Sequence, residues 1–327
     1  MKNLTAVIVR ATSVVALSFA SIAASAASQY PSQPIRLVVP FPAGGLTDTY
    51  ARMLAREVGE RLGQPVIVEN VAGATGQIGT ERVVRAAPDG YTLLYTSSSA
   101  QVLSPLMARK PAFDPVKDFT PISRVIEYPV VLYTNPSLPA KSAKELVELA
   151  RSRSTALTCA SVGIGSVGHL SCQQFALANK IELLHVPYKG AAPAQMAVIS
   201  GEADMTFDSV GGSQKMADGG KLRALVVLND KRTQGAPDVP SMIEANLPPV
   251  QAFVWTGVLA PAGLPKDVQE VLGREIAAAL KTQELAARIK QDGAENASGT
   301  GQAFTERIQA EQTQWREVIR AKNLHID

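Results

Sequence analysis

IRLVVPFPAGGLTDTYARMLAREVGERLGQP, residues 35–65, passes from a strand through a glycine turn into a helix, and this passage decides the architecture. Residues 35–40 are a short apolar run without alternation, the pattern of a strand covered on both faces. Gly44 and Gly45 make a turn, and Thr47 or Asp48 stands where it can cap the following helix. Leu46, Tyr50, Met53, Leu54, Val58 and Leu62 then recur at helical spacing, closed by Gly63 with Pro65 beyond. A buried strand followed by an amphipathic helix is the repeating unit of an α/β protein.

The same alternation runs outward through the chain. Strand-like runs fall at 66–70, 91–97, 130–134, 157–161, 184–188, 203–209, 222–228 and 255–261. Ser142 and Glu145 form a capping box ahead of Leu146 and Leu149, and Pro265 opens a helix through Val268, Leu272, Ile276, Ala279 and Leu280. A last helix carries Phe304, Ile308, Trp315 and Ile319. These lengths predict an α/β fold with mostly parallel sheets. Two extended stretches, 125–134 and 251–261, are candidates for strands crossing between two sheets. They divide the chain into a first domain of residues 27–127 and 255–327, closed by the last helix, and a second domain of residues 128–254 inserted in it.

The chain has 327 residues, 46% hydrophobic and 19% charged, values that exclude general disorder and a polytopic membrane protein. Lys2 and Arg10 flank the start of an apolar, small-residue run that ends in Ala24-Ser25-Ala26, the pattern of a secretory signal cleaved after Ala26. That run is too short to span a bilayer. The expected location is outside the cytoplasm, in a compartment where thiols oxidise, so Cys159 and Cys172 are either one disulfide or two small buried hydrophobes. Without Lys2 and Arg10 the chain carries 30 basic against 29 acidic residues. Such a balance offers no footprint for nucleic acid, and any anion specificity must be local.

Three glycine-rich turns follow strands, at 40–48, 70–79 and 161–170. In open α/β sheets such turns lie at the carboxyl edge, where unpaired helix amides favour anions. Gly163, Gly165 and Gly168 also match the dinucleotide spacing, but the acid Glu182 would begin its strand rather than end it, so no nicotinamide or other cofactor is expected. Ser166 and His169 share a helical face, which makes an exported hydrolase using Ser166 the alternative function. Ile164, two residues before Ser166, breaks the nucleophile-elbow pattern, and His169 reads more simply as a helix-start side chain bonded to backbone. His169, His185 and His325 lack metal-ligand spacing. Asp208 either caps the turn at Gly211 and Gly212 or accepts a bond at a pocket edge.

Several phrases together are family-specific: IRLVVPFPAGGLTD at 35–48, GQPVIVENVAGATGQIGT at 63–80, PDGYTLL at 88–94, SVGIGSVGHL at 161–170, VPYKGAAPA at 186–194, GGKLRAL at 219–225, PDVPSMIEA at 237–245 and WTGVLAPAGLP at 255–265. In these the chain resembles the Bug family, the periplasmic solute receptors of tripartite tricarboxylate transporters. The resemblance implies a type II periplasmic-binding-protein fold, two α/β domains around a ligand cleft joined by crossing strands. It implies a small carboxylate as ligand, membrane transporter subunits as partners, no enzymatic activity and a monomer; a sensor docking to a signalling protein is a further alternative. Carried onto this chain, the first turn (Phe41, Ala43, Gly44, Gly45, Leu46, Thr47 and Asp48) would hold a carboxylate through main-chain amides. Ser97 and Ser98 would join it from the same domain, with Ser161, Gly165, Ser166 and His169 across the cleft and Tyr188, Gly190 and Asp208 near the rim. Leu46 replaces a residue that is usually small in the family, and Gln173 stands where an acid is common.

Overall fold

A computed structural model describes residues 30–73 and 76–325, so the expected signal segment lies outside the described residues. Strand β1 (Ile35–Val39) leads into α1 (Leu46–Leu62), then β2 (Val66–Asn70), α2 (Gln77–Val84) and β3 (Thr92–Ser97). A π turn (Ser99–Leu103) continues into α3 (Ser104–Met107), and the long strand β4 (Phe119–Thr134) carries the chain onward. There follow α4 (Ala143–Ser152), β5 (Leu157–Ser161), α5 (Val167–Asn179), β6 (Leu183–Pro187), α6 (Ala191–Ser200), β7 (Met205–Ser209), α7 (Val210–Asp218) and β8 (Arg223–Val227). Strand β9 (Phe253–Pro261) returns, and α8 (Lys266–Ala279), α9 (Gln283–Gln291), β10 (Glu295–Asn296) and α10 (Gly301–Ala321) complete the chain.

Two α/β lobes result. In the first, β1 lies between β2 and β3, all parallel. In the second, β5 lies between β6 and β7, again parallel. The crossing strands join them: β4 pairs antiparallel with β9 over residues 119–129, and its last residues, 130–134, pair antiparallel with β7 and β8. The expected mostly parallel sheet is therefore corrected to a mixed one. Each crossing strand enters a lobe from its neighbour, and β9 has to run against both β3 and β4.

Local rules explain the element ends. Helix α1 stops at Gly63, whose φ of 67° is the left-handed conformation that glycine adopts without strain. Helix α4 starts at Ser142, which accepts the Glu145 amide at 3.2 Å, while Glu145 reaches back to the Lys141 amide at 2.7 Å. Cys159 on β5 and Cys172 on α5 are buried free thiols, and burial beside Cys172 holds the Cys159 thiol well above its ordinary pKa. Of the two readings left open by the sequence, the structure contains the buried pair.

The last helix does more than close the first lobe. It packs along β4 and also meets the second lobe, where Gln314 Nε2 donates to Gln174 and Lys322 pairs with Glu182 at 3.2 Å. Its inner face joins Phe304, Ile308, Trp315 and Val318 to one core with Trp255, Phe175 and Leu183. The indole N–H of Trp255, on crossing strand β9, donates to both Glu311 oxygens at 2.9 Å, and Arg307 Nε donates to the same carboxylate at 2.7 Å. Burial pushes the Glu311 carboxyl above its usual range, with Arg307 and Trp255 opposing that rise. Removing the carboxylate strands two donors in an apolar setting, so Glu311→Ala is expected to cost about 3 kcal/mol of stability. Glu311→Gln keeps an acceptor for the indole and should lose less; urea denaturation of the two variants gives the comparison.

Candidate functional site

The direction of β4 places the site. β3 and β4 both run against β9, so the carboxyl ends of β1, β2 and β3 point toward the second lobe. β7 runs against β4, and β5 and β6 run with β7, so their carboxyl ends point back toward the first lobe. Every residue expected at the site stands at one of these facing ends or in the turn after it: after β1, β3, β5 and β6, and within the end of β7.

In the first turn, Pro42 through Leu46 are exposed while Asp48 is buried. Asp48 acts as the turn's internal brace. Its carboxylate accepts the Gly44 amide at 2.9 Å, Arg52 Nε at 3.0 Å and Asn70 Nδ2 at 2.9 Å. Asn70 also donates to the Phe41 carbonyl at 3.1 Å, fixing the turn to the end of β2. Burial would raise the Asp48 pKa, but these donors outweigh it and hold the carboxyl down at about 2. Helix α1 begins at Gly45 with no side-chain cap, so the first-turn amides have neither a carbonyl one turn back nor a capping oxygen. They are open to an anion.

Around this turn, Ser97 and Ser98 are buried at the end of β3, and Ser98 Oγ accepts the Trp255 amide at 3.4 Å. Helix α2 begins at Gly76 without a side-chain cap, and Gly79 lies so near the Val71 carbonyl that a Cβ would stand 2.5 Å from it.

The turn of the second lobe is arranged differently, because its polar groups bond to one another. Ser161 Oγ shares a 2.6 Å bond with His185 Nε2 and donates to the Gly163 carbonyl at 3.1 Å. Ser166 Oγ donates to the same carbonyl at 2.7 Å and accepts the His169 amide at 3.2 Å. His169 Nδ1 accepts the Gly165 amide at 3.3 Å. His169 is thus the backbone-bonded helix-start residue that the sequence suggested, and Ser166 is a helix cap whose hydroxyl is bonded to backbone on both sides. Tyr188 donates to Glu202 at 2.8 Å on the rim, and Gly190, with φ of 119°, begins α6 without a side-chain cap. Asp208 accepts Ser213 Oγ at 2.6 Å, Gln195 Nε2 at 2.9 Å and the Ser209 amide at 2.8 Å, bracing the start of α7.

Four partners escaped the sequence reading: Asn70, Arg52, His185 and Gln195. Asn70 ends its strand beside a glycine turn, and that position was the available signal. His185 interrupts an apolar strand, and its ring stacks on His169 with centroids 3.8 Å apart. Among the described residues, no group of His, Cys, Asp or Glu is placed to hold a metal ion, and no helix is long and apolar enough to cross a membrane.

Comparison with known proteins decides the family. The profile described as tripartite tricarboxylate transporter family receptor (TctC) matches residues 50–324. This chain belongs to the TctC family. Protein BugT of Bordetella pertussis is 36% identical over 93% of this chain and 94% of its own. Among solved structures, Rhodopseudomonas palustris Rpa4515 with adipate superposes with a TM-score of 0.79 at 31% identity, over 90% of this chain and 99% of that one. MatC from the same organism, with bound malate, gives 0.76 at 33% identity, over 89% and 100%. The TctC chain described here accordingly has the periplasmic-binding-protein fold and is a solute-binding receptor, not an enzyme.

The buried histidine stack makes this TctC receptor sensitive to acid. Burial lowers His169 to about 3, with His185 adding to the effect, and burial lowers His185 to about 4. A depressed histidine pKa means that the unfolded chain binds the extra protons. The stabilisation is therefore complete above about pH 6.5 and lost as pH falls toward the folded values. Each histidine should remove about 1.4 kcal/mol per pH unit across that window. Denaturant melts between pH 7.5 and 5 should show this slope and show it roughly halved in His185→Gln; an unchanged slope would place the acid sensitivity elsewhere.

Proposed function

We propose that this TctC chain captures a small carboxylate in the periplasm and delivers it, as a monomer, to a membrane transporter of the tripartite tricarboxylate type. One observation carries the carboxylate reading: the exposed turn at 42–46 presents the uncapped first-turn amides of α1 at the edge that faces the other lobe. Backbone dipoles there favour an anion without a basic side chain, and Arg52, one turn along α1, is bonded to Asp48 and Asn70. Adipate in Rpa4515 and malate in MatC support the same ligand class.

In this reading the domains are residues 27–127 with 255–327, and residues 128–254. Binding closes them about the crossing strands near Pro129 and Phe253, which pair with each other. Ser161, Ser166, His169 and Asp208 hold the second lobe's edge in shape, and the first-turn residues, with Ser97 and Ser98 behind them, receive the carboxylate. A thermal-shift series of mono-, di- and tricarboxylic acids tests the class. A ligand at a hundredfold excess over its Kd should add about 2.7 kcal/mol, and silence across the series would sink the reading.

The two turn glycines separate binding from backbone strain. Gly44 has φ of 86°, so a side chain there strains the turn although space is free, and Gly44→Ala should cost about 1–2 kcal/mol of stability. Gly45 has φ of −77°, with only the Pro42 carbonyl near a Cβ, at 3.9 Å. Gly45→Val should therefore fold normally, yet crowd the amides and weaken the best acid by more than about tenfold, or 1.4 kcal/mol. Calorimetry giving wild-type affinity in folded Gly45→Val would remove this turn from the site.

A further inference from the structure

The facing edges are unexpectedly apolar at their surface. Nine large apolar side chains are exposed among the described residues, and four of them, Leu46, Ile78, Val162 and Ile164, stand on the three facing turns. Leu46 and Ile78 lie in the first turns of α1 and α2, where the Cα–Cβ bond tilts toward the helix N-terminus and so toward the opposite lobe. Val162 and Ile164 follow Ser161 at the end of β5 and look back from the second lobe's edge. Exposed apolar groups gathered at a binding edge mark a surface that is covered when the partner molecule arrives.

The two edges also differ in what they offer to polar groups. The first has uncapped amides. On the second, the amides of Gly163, Gly165, Ser166 and His169 and the hydroxyls of Ser161 and Ser166 are engaged inside the turn after β5, while α6 and α7 begin without a side-chain cap. A ligand reaching from the α1 turn to the turn after β5 meets donors on one side and the exposed Val162 and Ile164 on the other. We propose that this receptor selects a carboxylate with one charged end and an apolar body, an alkyl chain or an aromatic ring, its carboxylate on the α1 turn and its body between Leu46 and the Val162–Ile164 pair. A hydroxylated di- or tricarboxylate would bring polar groups against those side chains, where they lose water without gaining a donor.

This inference rests on the receptor reading above, and calorimetry with four probes separates the two. Hexanoate or benzoate should bind at least about tenfold more tightly than malate and citrate. Val162→Ser and Ile164→Ser, both at exposed positions, should each weaken the preferred apolar acid about five- to tenfold while leaving malate and citrate unchanged or improved. Malate or citrate bound as tightly as the apolar acids overturns the inference and leaves the receptor reading standing. So does indifference of the apolar acids to both serine variants. Failure of all four probes overturns it as well, and the receptor reading falls with it only if the wider acid series is also silent.

Discussion

The antiparallel ladder of β4 fixes the geometry on which everything else depends. One continuous strand of 16 residues runs against β9 in the first lobe and against β7 in the second. Once that direction is set, the parallel strands of each lobe have no choice of polarity. Their carboxyl ends converge on the junction, and each helix that follows presents its N-terminus there. Pro129 sits where the two ladders meet and contributes no N–H, so the sheet loses a bond at the junction of the lobes, where the proposed closure would bend it. Two register shifts, between Pro121 and Ser123 and between Arg124 and Ile126, add local twist earlier in the strand.

That ladder is also where the sequence spoke least clearly. Residues 130–134 read as a strand because they form an unbroken apolar run, but Pro121, Ser123 and Arg124 break the pattern over the first part of β4. An apolar run carries no sign of direction, and so the antiparallel pairing of β9 was invisible. By contrast, α1 was legible to the residue, because its stripe, its closing Gly63 and Pro65 all agree. Helix α6 went unread since Pro193 and a stretch of alanines give no periodic stripe, and α9 because its apolar positions are few.

The facing turns were legible as places, but the division of labour among their residues was not. Glycines after strands located the facing turns, since tight turns and close helix approach need them. Whether a serine or histidine beside such a glycine meets ligand or holds the loop depends on hydrogen bonds to residues far along the chain. Ser161 finds its partner in His185, and Asp208 finds one in Gln195. The same residue types in the same local spacing would serve either role, so only the assembled fold tells them apart.

The placement of charge follows from this division. Asp48 and Arg52 form an ion pair at the first turn, and both are committed to bracing it. What remains for an anion is a set of backbone dipoles, and a helix N-terminus contributes about 0.3–1 kcal/mol on a solvated surface. A single lobe therefore holds a ligand only weakly. In the proposed function, appreciable affinity would come from the second lobe covering the ligand, excluding water and strengthening each dipolar contact, while apolar surface on both edges was buried at the same moment. In the proposed cycle, binding energy would reside largely in closure, and a partner that opened the lobes would release the ligand without having to break a salt bridge. For the proposed delivery to a transporter, which would end in release, weak contacts made strong by closure would be a better physical solution than a cationic side chain that holds its anion in either state.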